Sequence, residues 1–120
     1  MSKPEREPKD GVVTILKSTP SKKEIVLNIK QHDSVRWLGE DMAYELWFED
    51  AVWNFKLSWD KTSPGYKIIE VKQGKHTQKY TLEDDDATPG TKTSHPYDIR
   101  KATATNRSGP PNGPIVWGEG

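Results

Sequence analysis

The feature that most constrains the fold is a nine-residue alternation of apolar and mostly polar side chains over residues 51–59. Successive side chains of a β-strand point to opposite faces, so a period of two places one set on a single face. That set is Ala51, Trp53, Phe55, Leu57 and Trp59. The pattern predicts a half-buried strand of an antiparallel sheet, with its aromatic face toward the core.

Short runs of the same kind recur along the chain, and polar turns separate them. Residues 60–65, for example, end in Pro64-Gly65, which suits the central positions of a type II turn. The predicted strands are 12–16, 24–30, 34–38, 44–48, 51–59, 66–71, 76–82, 94–100 and 114–117. Many short strands without a convincing helix predict an all-β fold, arranged as a two-sheet sandwich or a barrel.

The length of 120 residues suits one domain. Residues 1–10 are charged and contain proline, which predicts a disordered N-terminal tail. The remaining residues, 11–120, are interpreted as a single β-sandwich domain. Residues 101–114 lack an apolar period and are rich in Gly, Pro and Asn, so they are expected to form a long loop.

Charge and cysteine content exclude several classes of function. The 18 basic residues balance the 18 acidic ones, so no global charge attracts nucleic acid or an anionic membrane, and neither is an expected partner. Without cysteine there is no disulfide, thiolate nucleophile or thiolate metal ligand. No apolar run resembles a signal peptide or a membrane span, so a cytoplasmic location is the default expectation.

The order of the strands resembles that of cupredoxin-like domains. The matching segments are 25–30, 34–37, 44–48, Tyr80, 95–99 and 113–117, within two regions, 12–48 and 78–118. The resemblance implies an antiparallel Greek-key β-sandwich, cupredoxin-like or immunoglobulin-like in character. It does not cover the 51–59 stretch.

The copper ligands of that family are missing. A blue-copper site uses two His, one Cys and a weak axial ligand such as Met. Tyr44 stands where the family places its first His, and Met42 lies in the wrong half of the chain for an axial ligand. The resemblance therefore implies the fold without copper redox activity, and no cofactor is expected.

Tryptophans are the best candidates for binding residues. Trp53 and Trp59 are expected in the core, but they become contact residues if the 51–59 strand is an elaboration of the fold. Trp47 alternates along the chain with Tyr44, Leu46 and Phe48. If those three side chains face the core, Trp47 lies on the outer face of the sheet. An exposed Trp is a typical contact for a protein or a sugar ring. A loop such as 101–114 could equally cover it.

Other polar groups are weaker indications of a functional site. Asp84, Asp85 and Asp86 offer oxygen ligands for calcium, but a solvated turn is the favoured interpretation. The three histidines, His32, His76 and His95, lack the spacing of a metal motif. A further cluster combines Lys72, Lys75 and Lys79 with Tyr80. Basic and aromatic groups together suit a nucleic-acid groove, but the favoured interpretation is an edge hairpin that its lysines keep soluble.

The sequence thus favours a non-catalytic binding or structural module that interacts with a protein. The first alternative is a carbohydrate-binding module in which Trp47 stacks on a sugar ring together with Tyr44 or Trp53. The second is an enzyme of unrecognised type. The candidate binding residues are Tyr44, Trp47, Trp53 and Trp59.

Overall fold

A computed structural model describes residues 9–83, 92–102 and 114–119. Residues 1–8 of the predicted tail and 103–113 of the predicted loop therefore lie outside the described residues. Within these ranges the chain forms strands and one short 3₁₀ helix, Asp50–Val52, and no α-helix. The strands are β1 Asp10–Leu16, β2 Thr19–Pro20, β3 Glu24–Asn28, β4 Ser34–Gly39, β5 Tyr44–Glu49, β6 Lys61–Ser63, β7 Tyr66–Val71, β8 Lys92–Lys101 and β9 Ile115–Glu119. No helix there is long and apolar enough to span a membrane.

The strands form two sheets, which confirms the all-β prediction. One has the order β2-β1-β4 and the other the order β3-β9-β8-β5-β7-β6. Both sheets are mixed, because β1 pairs with β4 and β3 pairs with β9 in parallel. The prediction of purely antiparallel sheets was therefore wrong. Alternation reports only which side chains share a face, and it is the same for parallel and antiparallel neighbours.

Residues 51–59 do not form the predicted strand. The 3₁₀ helix ends at Val52, and residues 53–59 are irregular apart from one bridge between Phe55 and Leu82. Strand β5 already pairs with β7 on one side and β8 on the other, so this segment finds no place beside it in the sheet. Three of its apolar side chains still point inward, since Phe55 is buried and Trp53 and Leu57 pack against the core, whereas Ala51 and Trp59 are exposed.

Residues 76–82 also differ from the prediction. They make isolated bridges to β4 and to the 53–59 segment instead of a continuous ladder. The Tyr80 N–H donates to the Val35 carbonyl, and the Val35 N–H donates to the Tyr80 carbonyl, at 2.8 and 2.9 Å. These bonds hold the segment along the open side of the smaller sheet, next to β4.

The core is centred on an aromatic cluster around Trp37. This side chain is fully buried, and its edge-to-face neighbours are Phe48, Phe55, Tyr80 and Tyr97, with ring centroids 5.6–6.4 Å apart. The indole Nε1 donates to the Tyr97 hydroxyl at 3.0 Å. Edge-to-face pairs of this kind add to the free energy gained from burying the rings. The core therefore depends on aromatic rings brought together from both sheets.

The turn between β1 and β2 is strained. Lys17 and Ser18 have φ angles of 53° and 63°, in the left-handed region that non-glycine residues rarely adopt. Two groups from the 41–44 region hold it: the Tyr44 hydroxyl accepts from the Ser18 N–H at 3.0 Å, and an Asp41 carboxylate oxygen accepts from the Lys17 N–H at 3.1 Å. Tertiary contacts thus fix a turn that its own residues disfavour.

Candidate functional site

Tyr44 is a buried structural residue. Its side chain is 1 % exposed. The hydroxyl donates to Asp41 at 2.7 Å while it accepts from the Ser18 N–H. Burial, together with the hydrogen bond to the Asp41 carboxylate, raises the pKa of this phenol. The ring is therefore not available for stacking on a sugar in this structure.

Trp47 lies on the outer face of the larger sheet, as its alternation indicated, yet it is only 6 % exposed. The Arg100 guanidinium lies 4.2 Å from its ring centroid, and the Tyr66 ring packs edge-on at 5.2 Å. Its Nε1 donates to Glu45 at 2.9 Å. Side chains of the neighbouring strands β7 and β8 therefore cover the ring.

Trp53 and Trp59 pack against each other at the margin of the core. Their rings are nearly perpendicular, with centroids 6.0 Å apart. Trp53 is half-buried against Phe48 and Phe55. Trp59 is 40 % exposed, so the prediction that it faces the core was wrong. The cause is the chain direction after residue 57: the Asp60 N–H donates to the Ile68 carbonyl, which carries Trp59 to the surface beside β7.

The Trp59 ring is held in place from a second side. The Lys67 ammonium lies 4.4 Å from its centroid, and the same ammonium pairs with Asp50 at 2.8 Å. Among the described residues, the large exposed hydrophobic side chains are Trp59 and Leu16. Of the four predicted binding residues, the structure therefore leaves one ring well exposed, and it does not bring Tyr44 or Trp47 to that surface.

A polar cleft lies next to this aromatic pair, between β7 and the 72–80 segment. Its volume is about 250 Å³. The lining residues are Asp60, Glu70, Lys72, Lys75, His76, Thr77, Gln78 and Tyr80. Asp60 directly follows Trp59 in the chain, and the Tyr80 ring of the lining packs edge-on against Trp53 at 6.4 Å, so the cleft lies close to the aromatic pair, although the Trp59 ring does not line it.

The sequence indicated part of this cleft. The predicted cluster of Lys72, Lys75 and Lys79 with Tyr80 supplies three lining residues, Lys72, Lys75 and Tyr80, whereas Lys79 instead pairs with Asp10 at 3.4 Å. Asp60 and Glu70 carried no signal in the sequence. The Asp60 carboxylate accepts a 2.7 Å hydrogen bond from the Glu70 N–H, which holds it beside β7, and Glu70 belongs to that strand, so the tertiary structure brings both acidic residues to the lysines.

The histidines are dispersed. His95 is buried, with Nδ1 3.1 Å from the Val116 carbonyl, and His32 adopts a φ of 59° in an exposed turn. His76 lines the cleft. No group of three potential His, Asp or Glu ligands is found in the part of the chain that the structure describes. The calcium alternative at Asp84, Asp85 and Asp86 lies outside the described residues.

Comparison with known proteins gives no relative from which a function could be transferred. No family model, no curated protein and no solved structure matches this chain.

Proposed function

We propose that this protein is a non-catalytic binding module that contacts a protein partner through the surface around Trp59. The observation that carries the proposal is the exposed, immobilised indole of Trp59, which Trp53 and Lys67 hold in one orientation. Trp is enriched among the residues that dominate binding energy in protein interfaces. A ring that is already ordered loses little conformational entropy on binding.

A cupredoxin-like or immunoglobulin-like Greek-key sandwich is the fold we infer for this module. Support comes from the way the chain alternates between sheets: β2 and β4 lie in the smaller sheet, and β3 and β5 in the larger one. Connections that cross between two packed sheets are typical of Greek-key sandwiches. Such a sandwich offers loops and open edges for protein contacts.

The test compares wild-type protein with Trp59→Ala and Leu16→Ala. Each protein is immobilised, exposed to lysate of the source organism, and the retained proteins are quantified by mass spectrometry. We expect a partner that wild type and Leu16→Ala retain equally and that Trp59→Ala loses. Leu16 is the matched control because it is also a large, exposed hydrophobic residue. A partner retained by all three proteins would contradict the role of Trp59.

A sugar ligand is the alternative, and the polar cleft beside Trp59 favours it. Sugar-binding sites commonly combine an aromatic ring face with hydrogen-bonding side chains, which match the apolar and hydroxyl-bearing parts of the ligand. Tryptophan fluorescence titrated with a panel of polysaccharides separates the two proposals. A saturable change that Trp59→Ala abolishes would support the sugar, and an unchanged spectrum across the panel would count against it.

A further inference from the structure

The hydroxyl group of Tyr80 has no hydrogen-bond partner among the described residues, although the side chain is 1 % exposed. The other two deeply buried tyrosines are paired: the Tyr97 hydroxyl accepts from Trp37, and the Tyr44 hydroxyl bonds to Asp41. Buried polar groups in folded proteins are almost always hydrogen-bonded. An exception at the margin of a core requires an explanation.

The explanation is the position of Tyr80, because this residue lines the cleft. The sealed side-chain atoms that lack a partner are Arg36 Nε and Arg100 Nε, within the described ranges. The Tyr80 hydroxyl is not one of them, so it keeps a small contact with the solvent side. A molecule in the cleft, either water or a ligand, can therefore pair with it.

The protonation state of Tyr80 makes it a hydrogen-bond donor. Burial and the nearby Asp60 carboxylate raise its pKa to about 12. The phenol therefore keeps its proton at neutral pH. Asp60 itself offers carboxylate oxygens that only accept hydrogen bonds. A donor on the floor of the cleft thus lies near an acceptor on its wall.

The charges around the cleft favour a neutral ligand. Asp60 and Glu70 contribute two carboxylates, while Lys72 and Lys75 contribute two ammonium groups, and the Lys61 ammonium lies 3.7 Å from Glu70. Groups of both signs therefore surround the cleft, and neither sign of ligand charge is favoured by all of them. A hydroxyl group both donates and accepts, so a ligand carrying several of them can pair with lysines, carboxylates and the phenol together.

The size of the cleft suits one ring inside it. Its volume of about 250 Å³ lies just below the roughly 300–1,000 Å³ of sites that enclose drug-sized ligands. We propose that the cleft binds one neutral polyhydroxylated ring, such as a single sugar unit, with the Tyr80 hydroxyl donating to it and Asp60 accepting from it. This inference rests on the carbohydrate alternative above and is independent of the protein contact at Trp59.

The test is an NMR titration of ¹⁵N-labelled protein with methyl glycosides of hexoses and N-acetylhexosamines. We expect saturable shifts confined to the backbone amides of residues 72–80 and neighbouring Asp60. Tyr80→Phe removes the proposed donor alone, and Asp60→Asn removes the acceptor charge. Each should raise the Kd about threefold to tenfold, the loss expected from one hydrogen bond.

Tyr66→Phe is the matched control, because it deletes a tyrosine hydroxyl away from the cleft and should leave the Kd unchanged. The inference is overturned if no glycoside shifts the cleft amides, if Tyr80→Phe binds as tightly as wild type, or if inorganic phosphate binds there and glycosides do not. If Tyr80→Phe loses the sugar but retains the protein partner, the cleft and the protein contact at Trp59 are separate sites.

Discussion

The replacement of Tyr by Phe should lower stability at one position of the aromatic cluster and leave it nearly unchanged at another. In Tyr97→Phe, the indole Nε1 of Trp37 loses the hydroxyl to which it donates at 3.0 Å, and Trp37 is fully buried. In Tyr80→Phe, no hydrogen bond between described residues is broken. The two changes remove the same atom and leave the same ring, so they isolate the value of a single pairing.

The magnitude follows from the difference in pairing. A buried donor left without a partner costs about 1–3 kcal/mol, so Tyr97→Phe should lower the free energy of unfolding by that amount. Tyr80→Phe should change it by less than about 0.5 kcal/mol, as surface-like substitutions do. For a chain of this size, about 4 °C of Tm corresponds to 1 kcal/mol, so Tyr97→Phe should lower Tm by roughly 4–12 °C.

Urea denaturation followed by circular dichroism measures both variants against wild type. Equal slopes of the free energy against urea concentration would show that only stability has changed. The reasoning is refuted if Tyr97→Phe lies within 0.5 kcal/mol of Tyr80→Phe, the range set above for an unpaired hydroxyl. It is also refuted if Tyr80→Phe alone is strongly destabilised, since that would mean its hydroxyl has a partner in the fold.

Alkaline titration of the same variants provides a second measurement. Burial raises the Tyr80 pKa from 10.0 to about 12. Between these values the unfolded chain loses the phenol proton while the folded protein keeps it, so the unfolded state binds fewer protons and stability falls as pH rises. Tyr80→Phe should therefore lose less stability than wild type over this range. Parallel stability curves for the two proteins would contradict the raised pKa.

Two further perturbations test the strained turn and the buried carboxylate. The double variant Lys17→Asn, Ser18→Gly should raise the free energy of unfolding by about 1 kcal/mol, because Asn-Gly suits the positive φ of both positions. Ser18→Ala is the control, and it should give no such gain when both variants are compared by thermal melting. Glu45→Gln should lower the free energy of unfolding by about 1–2 kcal/mol, because it removes a buried charge that pairs with Lys61. Glu70 pairs with the same lysine but is exposed, so Glu70→Gln should lower it by less than about 0.5 kcal/mol. Equal losses in urea melts of the two Glu variants would refute this assignment.

The sequence located most strands well because local alternation carries that information. The predicted runs at 34–38 and 66–71 match β4 and β7 within a residue at either end. The 51–59 stretch alternates as regularly but forms no strand. Its period of two matches the inward position of Trp53, Phe55 and Leu57, but not of Trp59. A strand also needs a neighbouring strand with unpaired backbone groups, and both edges of β5 are already paired. Pairing is a property of the whole sheet, which no local pattern contains.

The candidate site was predictable only in part. The sequence singled out Trp59 as a possible contact but expected it in the core, and it identified Lys72 and Lys75 without their acidic counterparts. Asp60 and Glu70 reach the cleft through the backbone pairing that follows the 53–59 segment. Such long-range placement cannot be obtained from spacing along the chain.

The sequence by itself determined the β class of this protein, the positions of most strands and the aromatic character of its core, because side-chain periodicity and composition are local properties. Only the tertiary structure decided which rings are buried. Arg100 and Tyr66 cover Trp47, while the chain path after Leu57 exposes Trp59. Burial depends on what packs from other strands, and the same packing left the Tyr80 hydroxyl unpaired at the cleft.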